Sequence, residues 1–216
     1  MHRFDLVIFD LDGVLADTTP CHSRAYDDLW RYLGIQGPPY ASIAGRKTRE
    51  VVRECTAAMA PTAAQILAWT RFKQGRARAY LATEDVGFPD SRACLETMTR
   101  HGARLAVGTG ASRTSAHLIL KRLHLFDFFS PIVTAEDVKH GKPAPDVYLK
   151  VMADAGADPA RTLIIEDSPS GLEAALTSAA YAAAVRTGIQ DDRPRFLGSF
   201  PGLRAVLDEL ATPHEA

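Results

Sequence analysis

The sequence predicts an α/β protein, a parallel sheet covered by helices and interrupted near its start by an all-helical insertion. Three observations carry this. From residue 91 onward, helix-like and strand-like stretches alternate, the pattern of a parallel sheet. Residues 17–85 hold helical stripes and no convincing strand. The run VIF at 7–9 reads as the end of a buried strand that belongs with the later ones. The α/β part is therefore discontinuous, 1–16 plus 86–216, with 17–85 inserted after the first strand.

The elements follow in order. The first strand covers about 5–10. In the insertion, Ala25, Leu29 and Leu33 repeat at a spacing of four, as do Val51, Cys55 and Met59. Ile66, Trp69 and the pair Phe72/Lys73 fall on one face of a third helix. GIQGPPY and the Ala60-Pro61-Thr62 step punctuate these stripes. A helix over 91–101 leads to the strand RLAVGT ending at Thr109. A helix over 112–123 leads to the short strand PIVTA. A helix over 146–155 leads to TLIIED, ending at Asp167. SPSGLEAALTSA is a helix, YAAAV the last strand and PGLRAVLDEL a closing helix. The turn LTSAAYAAAV has no glycine near Ala179 to ease a left-handed helix stop, so it is expected to be built without one.

Composition bounds the partners. The chain has 216 residues, 46% hydrophobic and 24% charged, with a net charge of -1. That balance gives no electrostatic reason to expect nucleic acid or an anionic membrane. No apolar stretch is long enough to span a bilayer, and MHRFDLV has no signal-peptide pattern. Three scattered cysteines, Cys21, Cys55 and Cys94, fit reduced thiols. The expectation is a cytoplasmic monomer. Arginine outnumbers lysine 19 to 6 and asparagine is missing. Codon bias accounts for that, but each lysine merits inspection.

In open α/β sheets, ligands bind beyond the carboxyl ends of the strands. Those ends carry Asp10-Leu11-Asp12, Thr109-Gly110 and Glu166-Asp167, and a loop beyond PIVTA carries Lys142. Four carboxylates in one crevice need a cation. Oxygen donors with access to water suit Mg²⁺, and no His or Cys cluster argues for zinc. Lys142, the Thr109 hydroxyl and loop amides add a phosphate cradle, made by Leu11, Asp12, Thr109, Gly110 and Lys142. One aspartate, pointed at phosphorus, serves as nucleophile. The other, two residues on, protonates the leaving oxygen and then activates water.

These four stretches, in this order, resemble the haloacid dehalogenase-like hydrolase superfamily over nearly the whole chain. FDLDGVLADT is similar to its first motif, with Asp10 at the nucleophile and Asp12 at the acid/base. AVGT, ending at Thr109, is similar to the second, Lys142 in GKPAPD to the third, and IIEDSPSG to the fourth. The resemblance implies a Rossmann-like core with the insertion as a cap. It also implies Mg²⁺ held by Asp10, Asp167 and the backbone carbonyl of Asp12, with Glu166 in support. An acid at Asp12 implies phosphatase or phosphomutase chemistry rather than dehalogenation.

Several residues keep two readings. Asp17 or Thr18 caps the first cap helix. GTGASR superficially resembles a dinucleotide loop but lacks the third glycine. Glu166 is a solvated turn residue or a support for the metal. His22 faces the site or solvates a helix start. Gly45, Arg46, Lys47 and Arg49 in AGRKTRE form a solvated charged face or a substrate-recognition loop. Arg76, or Lys73, projects from the third cap helix. Thr18 and His22 also match positions of the β-phosphoglucomutase-like subgroup, which implies a sugar-phosphate-sized substrate. The mutase pattern of the specificity loop is broken here by Ala44 and Thr48. Hydrolysis of a small phosphorylated metabolite therefore leads, a hexose phosphate mutase follows, and a non-catalytic metabolite-binding protein is third.

Overall fold

A computed structural model describes residues 4–211, so the expectations for 1–3 and 212–216 lie outside the described residues. Six parallel strands form one sheet in the order β3-β2-β1-β4-β5-β6. They are β1 (Leu6–Phe9), β2 (Arg104–Gly108), β3 (Ile132–Val133), β4 (Thr162–Glu166), β5 (Tyr181–Val185) and β6 (Phe196–Phe200). β1 is central and wholly buried, because LVIF is apolar on both faces. Its side chains alternate. Val7 and Phe9 join one core with α4 (Ser91–Arg100), α5 (Arg113–Arg122) and α8 (Leu203–Ala211). Leu6 and Ile8 join another with α6 (Asp146–Ala155) and α7 (Pro169–Thr177). The sheet is thus covered on both sides, a Rossmann-like core.

Two sequence expectations for the sheet are corrected. β5 is not the last strand, since β6 lies beyond it on the edge. Every residue of FLGSF is half-buried and Gly198 has φ 126, so β6 shows neither an apolar run nor clean alternation. The turn before β5 is also not built around its missing glycine. Ala179 itself takes the left-handed conformation, φ 64.

Between β1 and α4 the chain is helical: α1 (Thr19–Leu33), α2 (Thr48–Cys55) and α3 (Ala63–Thr83). They share a separate core of Tyr26, Leu29, Trp30, Ile43, Val51 and Val52. α1 starts with Pro20 in its first turn and stops at left-handed Gly34; α3 opens with a Thr62/Gln65 capping box. α2 ends at Cys55, shorter than the expected stripe, and Met59 sits exposed on a short 3₁₀ turn.

Sheet register places the site. Phe9 lies beside Val107 on one side and Ile165 on the other, so Asp10, Thr109 and Glu166 emerge from neighbouring strand ends. The chain winds outward from β1 through β2 to β3, then returns to β4. The crevice between β1 and β4 is therefore the topological switch point.

Candidate active site

Lys142 is the hub. Its ammonium, 1% exposed, donates to Asp10 Oδ1 at 2.7 Å and to Glu166 Oε1 at 2.6 Å. Burial opposes its charge, but the two carboxylates overrule burial and hold its pKa well above the ordinary lysine value. Glu166 is fully used by the protein. Oε1 also accepts from the Tyr148 hydroxyl, and Oε2 accepts from the amides of Asp167 and Ser168 and the hydroxyl of Ser168. Tyr148 is a functional residue that the sequence did not reveal. In DVYLKVM it occupies an apolar helix position and reads as core, which its ring is.

Asp10 is 1% exposed, and burial raises its carboxyl to about 7, with Lys142 pulling the other way. Asp167 is raised further, to about 9, by burial and then by Glu166 and Asp10. Asp10, Glu166 and Asp167 each bring an oxygen within 4.8 Å of the others. One lysine does not neutralise them, and the Asp167 carboxylate has no hydrogen-bond or ion-pair partner among the described residues. An all-oxygen donor set with surplus negative charge fits a hard divalent cation such as Mg²⁺. Gly13 makes room for the Asp167 carboxylate. Its φ is 78, and a Cβ there would lie 1.9 Å from Asp167 Oδ2.

Asp12 faces the insertion. Thr18 Oγ1 donates to its Oδ1 at 2.5 Å, and His22 Nε2 lies 3.3 Å from the same oxygen. The other ring nitrogen, Nδ1, lies 2.7 Å from Lys73 Nζ. When the Lys73 ammonium donates to it, the proton of the neutral imidazole sits on Nε2, toward Asp12. Burial lowers the His22 pKa and pushes Lys73 down to about 7. Burial alone would raise Asp12, but His22 and Thr18 reverse this and hold it at about 2. Lys73, 3% exposed, also lies over the Tyr26 ring at 4.2 Å. A charged side chain on the apolar face of α3 was the available sequence signal.

Thr109 is buried, with Oγ1 accepting from the Ala111 amide at 3.0 Å. Gly110 follows at the rim. Leu11 is buried in the core, so it serves the site by its backbone alone. A small cavity of about 30 Å³ lies over Asp10 and Asp12, lined from the insertion by His22, Tyr40, Arg46 and Lys73.

The other insertion residues separate. Gly45 packs against Ser168 and Gly110 and lines the cavity. Arg46 lines it too, but its guanidinium is paired with Glu54 at 2.7 and 2.8 Å. Lys47 leaves the cavity and donates to Val138 O at 2.5 Å and Lys139 O at 3.1 Å. Arg49 is exposed in an outer cleft with Arg53 and Arg71. Arg76 is corrected. It lies on the outer face of α3, bonded to Asp28 at 2.6 Å and Tyr80 at 2.6 Å, while Lys73 is the residue of that helix brought into the site. Asp17 is corrected too. It is exposed and precedes the N-cap Thr18, whose hydroxyl is taken by Asp12 instead of a helix amide.

Comparison with known proteins assigns the class. The haloacid dehalogenase-like hydrolase family model matches residues 4–178. The chain belongs to that family and is a hydrolase. It is 31% identical over 191 residues to fructose-1-phosphate phosphatase YqaB of Escherichia coli, covering 85% of this chain and 97% of that protein. It is 33% identical over 178 residues to a phosphorylated carbohydrates phosphatase of Thermotoga maritima, covering 79% and 80%. The fold is shared with CbbY from Rhodobacter sphaeroides in complex with phosphate, at TM-score 0.80 and 22% identity over 93% and 95% of the chains. It is shared with β-phosphoglucomutase from Clostridium difficile at TM-score 0.78 and 20% identity, over 90% and 93%. No helix among the described residues is long and apolar enough to cross a membrane.

Proposed function

We propose that this chain is a Mg²⁺-dependent phosphatase of a small phosphorylated metabolite, a sugar phosphate, acting through an aspartyl-phosphate on Asp10. Phosphoric monoester hydrolysis is the wider class to which its phosphatase relatives belong. The observation that carries the reading is the Lys142 ammonium bridging Asp10 and Glu166 beside Asp167, whose carboxylate has no partner among the described residues.

On this reading residues 1–16 and 86–216 form the catalytic core, and 17–85 the cap. Asp10, Asp167 and the main chain of Asp12 hold Mg²⁺, which shields phosphate charge when bound. Lys142 holds Oδ1 of Asp10, leaving Oδ2 for phosphorus. Attack by that oxygen forms the Asp10–phosphoryl bond and breaks the ester bond. Thr109 and the Gly110 amide hold the phosphoryl oxygens. Asp12 gives its proton to the leaving alkoxide, then takes one from water as water attacks phosphorus. Inorganic phosphate leaves and Asp10 is restored. His22 and Thr18 hold Asp12 low in the free site, so its work as acid and then base needs the arriving phosphate dianion, whose charge raises its pKa.

A mutase must grip a second phosphate on the far side of the sugar. Arg46 is committed to Glu54, Lys47 to core carbonyls and Arg76 to Asp28, which favours hydrolysis. The test is phosphate release from a panel of sugar phosphates with Mg²⁺, by wild type and Asp10→Asn. Stoichiometric release by wild type and none by the folded variant is expected. Migration of phosphate without release, or full turnover by the variant, would overturn the reading.

A further inference from the structure

Three segments that follow strands of the sheet, two loops and the first turn of α7, meet one stretch of the insertion. A Cβ on Gly110 would lie 2.5 Å from Gly45 O, and Ser170 Oγ donates to Ala44 O at 2.8 Å. The third segment, the loop 138–142, is held twice. Lys47 Nζ donates to its carbonyls at Val138 and Lys139, and the Gly141 amide donates to Glu50 Oε1 at 3.1 Å. Contact is so close that a Cβ on Gly141 would lie 2.6 Å from Lys47 Cγ and 2.8 Å from Glu50 Oε2. The next residue is Lys142. Asp10 and Lys142 are each 1% exposed, and insertion residues His22, Arg46 and Lys73 line the small cavity over Asp10. A swing of the insertion that admits a metabolite would take Glu50 and Lys47 off the loop.

We propose that Glu50 is a positioning residue for Lys142. Its carboxylate, with the Lys47 ammonium, fixes the 138–141 backbone from the insertion side. The lysine is therefore delivered accurately to Asp10 and Glu166 only while the insertion is closed. Chemistry is thereby tied to closure, and a half-open site with access to water holds its lysine less well. This rests on the phosphatase reading for its kinetic readout alone.

The plain competing role for Glu50 is electrostatic. It sits in the first turn of α2, where an acid favours the helix dipole. Glutamine separates the two, because it keeps an acceptor for the Gly141 amide and loses the charge. Full-length wild type, E50Q and E50A are assayed with p-nitrophenyl phosphate and Mg²⁺, alongside thermal melts and hydrogen exchange of the 138–142 peptide. Expected are a kcat at least about tenfold lower for E50A and within about threefold of wild type for E50Q. Exchange at 138–142 should be faster in E50A alone. If E50A does not fold, K47M takes its place, with faster exchange and lower kcat expected. The proposal is overturned if E50A keeps kcat within about twofold, or if E50Q falls as far as E50A. If wild type hydrolyses no phosphate ester, the phosphatase reading fails by itself. The exchange comparison still decides the positioning role.

Discussion

Replacing Lys142 by methionine tests the electrostatic centre. Methionine has similar length and no charge, so it removes the ammonium while largely filling its space. The two carboxylates left behind differ in what they lose. Glu166 keeps the Tyr148 hydroxyl, two amides and the Ser168 hydroxyl. Asp10 Oδ1 loses the ammonium at 2.7 Å and stays 1% exposed. Breaking a buried ion pair from one side costs about 3–5 kcal/mol when the remaining charge has no alternative. Here Asp10 has one, which is to take up a proton. Its carboxyl is already raised to about 7 by burial with Lys142 present, so without Lys142 it moves higher. In the metal-free site the nucleophile is then protonated at neutral pH, and Mg²⁺ has to displace that proton before Asp10 can attack. Loss of transition-state stabilisation adds a factor of about 10²–10³. In steady-state assays across pH with saturating Mg²⁺, Lys142→Met should reduce kcat/KM at neutral pH by at least about a hundredfold. Its acidic limb should lie at higher pH than that of wild type. A folded Lys142→Met enzyme with activity within about tenfold of wild type and an unmoved limb would refute the reasoning.

Metal removal and one backbone site give the remaining predictions. Asp10 and Asp167 have folded pKa values raised to about 7 and about 9 from 3.8, so folding binds protons between these values and 3.8. Their stabilisation is complete below the unfolded value and is lost as pH rises. Between about pH 5 and about pH 7 the chelator-treated protein should lose stability, by at most about 2.7 kcal/mol per pH unit, and Mg²⁺ should flatten that slope. Parallel melting curves with and without Mg²⁺ would count against a cation among these carboxylates. At Ala179, exposed with φ 64, a left-handed alanine costs about 1–2 kcal/mol and glycine about 0.5–1 kcal/mol in chain entropy. Ala179→Gly should therefore stabilise by about 0.5–1 kcal/mol in denaturant titration, and destabilisation would contradict the strain.

How much was legible follows from where each residue finds its partners. The ends of β1, β2 and β4 are short apolar runs that stop at polar residues, and neighbouring parallel strands bring such ends together. Asp10, Thr109 and Glu166 could thus be assembled from the sequence alone. β6 was not legible, because an edge strand has one neighbour and needs no apolar run to satisfy it. The insertion was legible as helices and not as a surface. Arg76 meets Asp28 across 48 residues and Lys47 meets Val138 across 91, and no local pattern records either pairing.

The same principle separates two adjacent acids that composition cannot tell apart. Glu166 ends β4 and Asp167 follows it, and their carboxylates, though within 4.8 Å of each other, have different neighbours. Around Glu166 lie Lys142, Tyr148 and the amides opening the next helix, and it accepts from all of them. Against Asp167 lies the bare backbone of Gly13, and Asp167 accepts from no described residue. A carboxylate whose lone pairs are occupied can fix a lysine but has little left for a cation. One without donors is costly in its charged form until a cation arrives, and its carboxyl is raised to about 9 accordingly. In the insertion the argument runs the other way. Arg46 and Arg76 are spent on pairing with Glu54 and Asp28, whereas buried Lys73 has, among the described residues, the His22 ring and the Tyr26 face. Among the lysines and arginines of the insertion it is therefore Lys73, through His22, that is placed to act on Asp12.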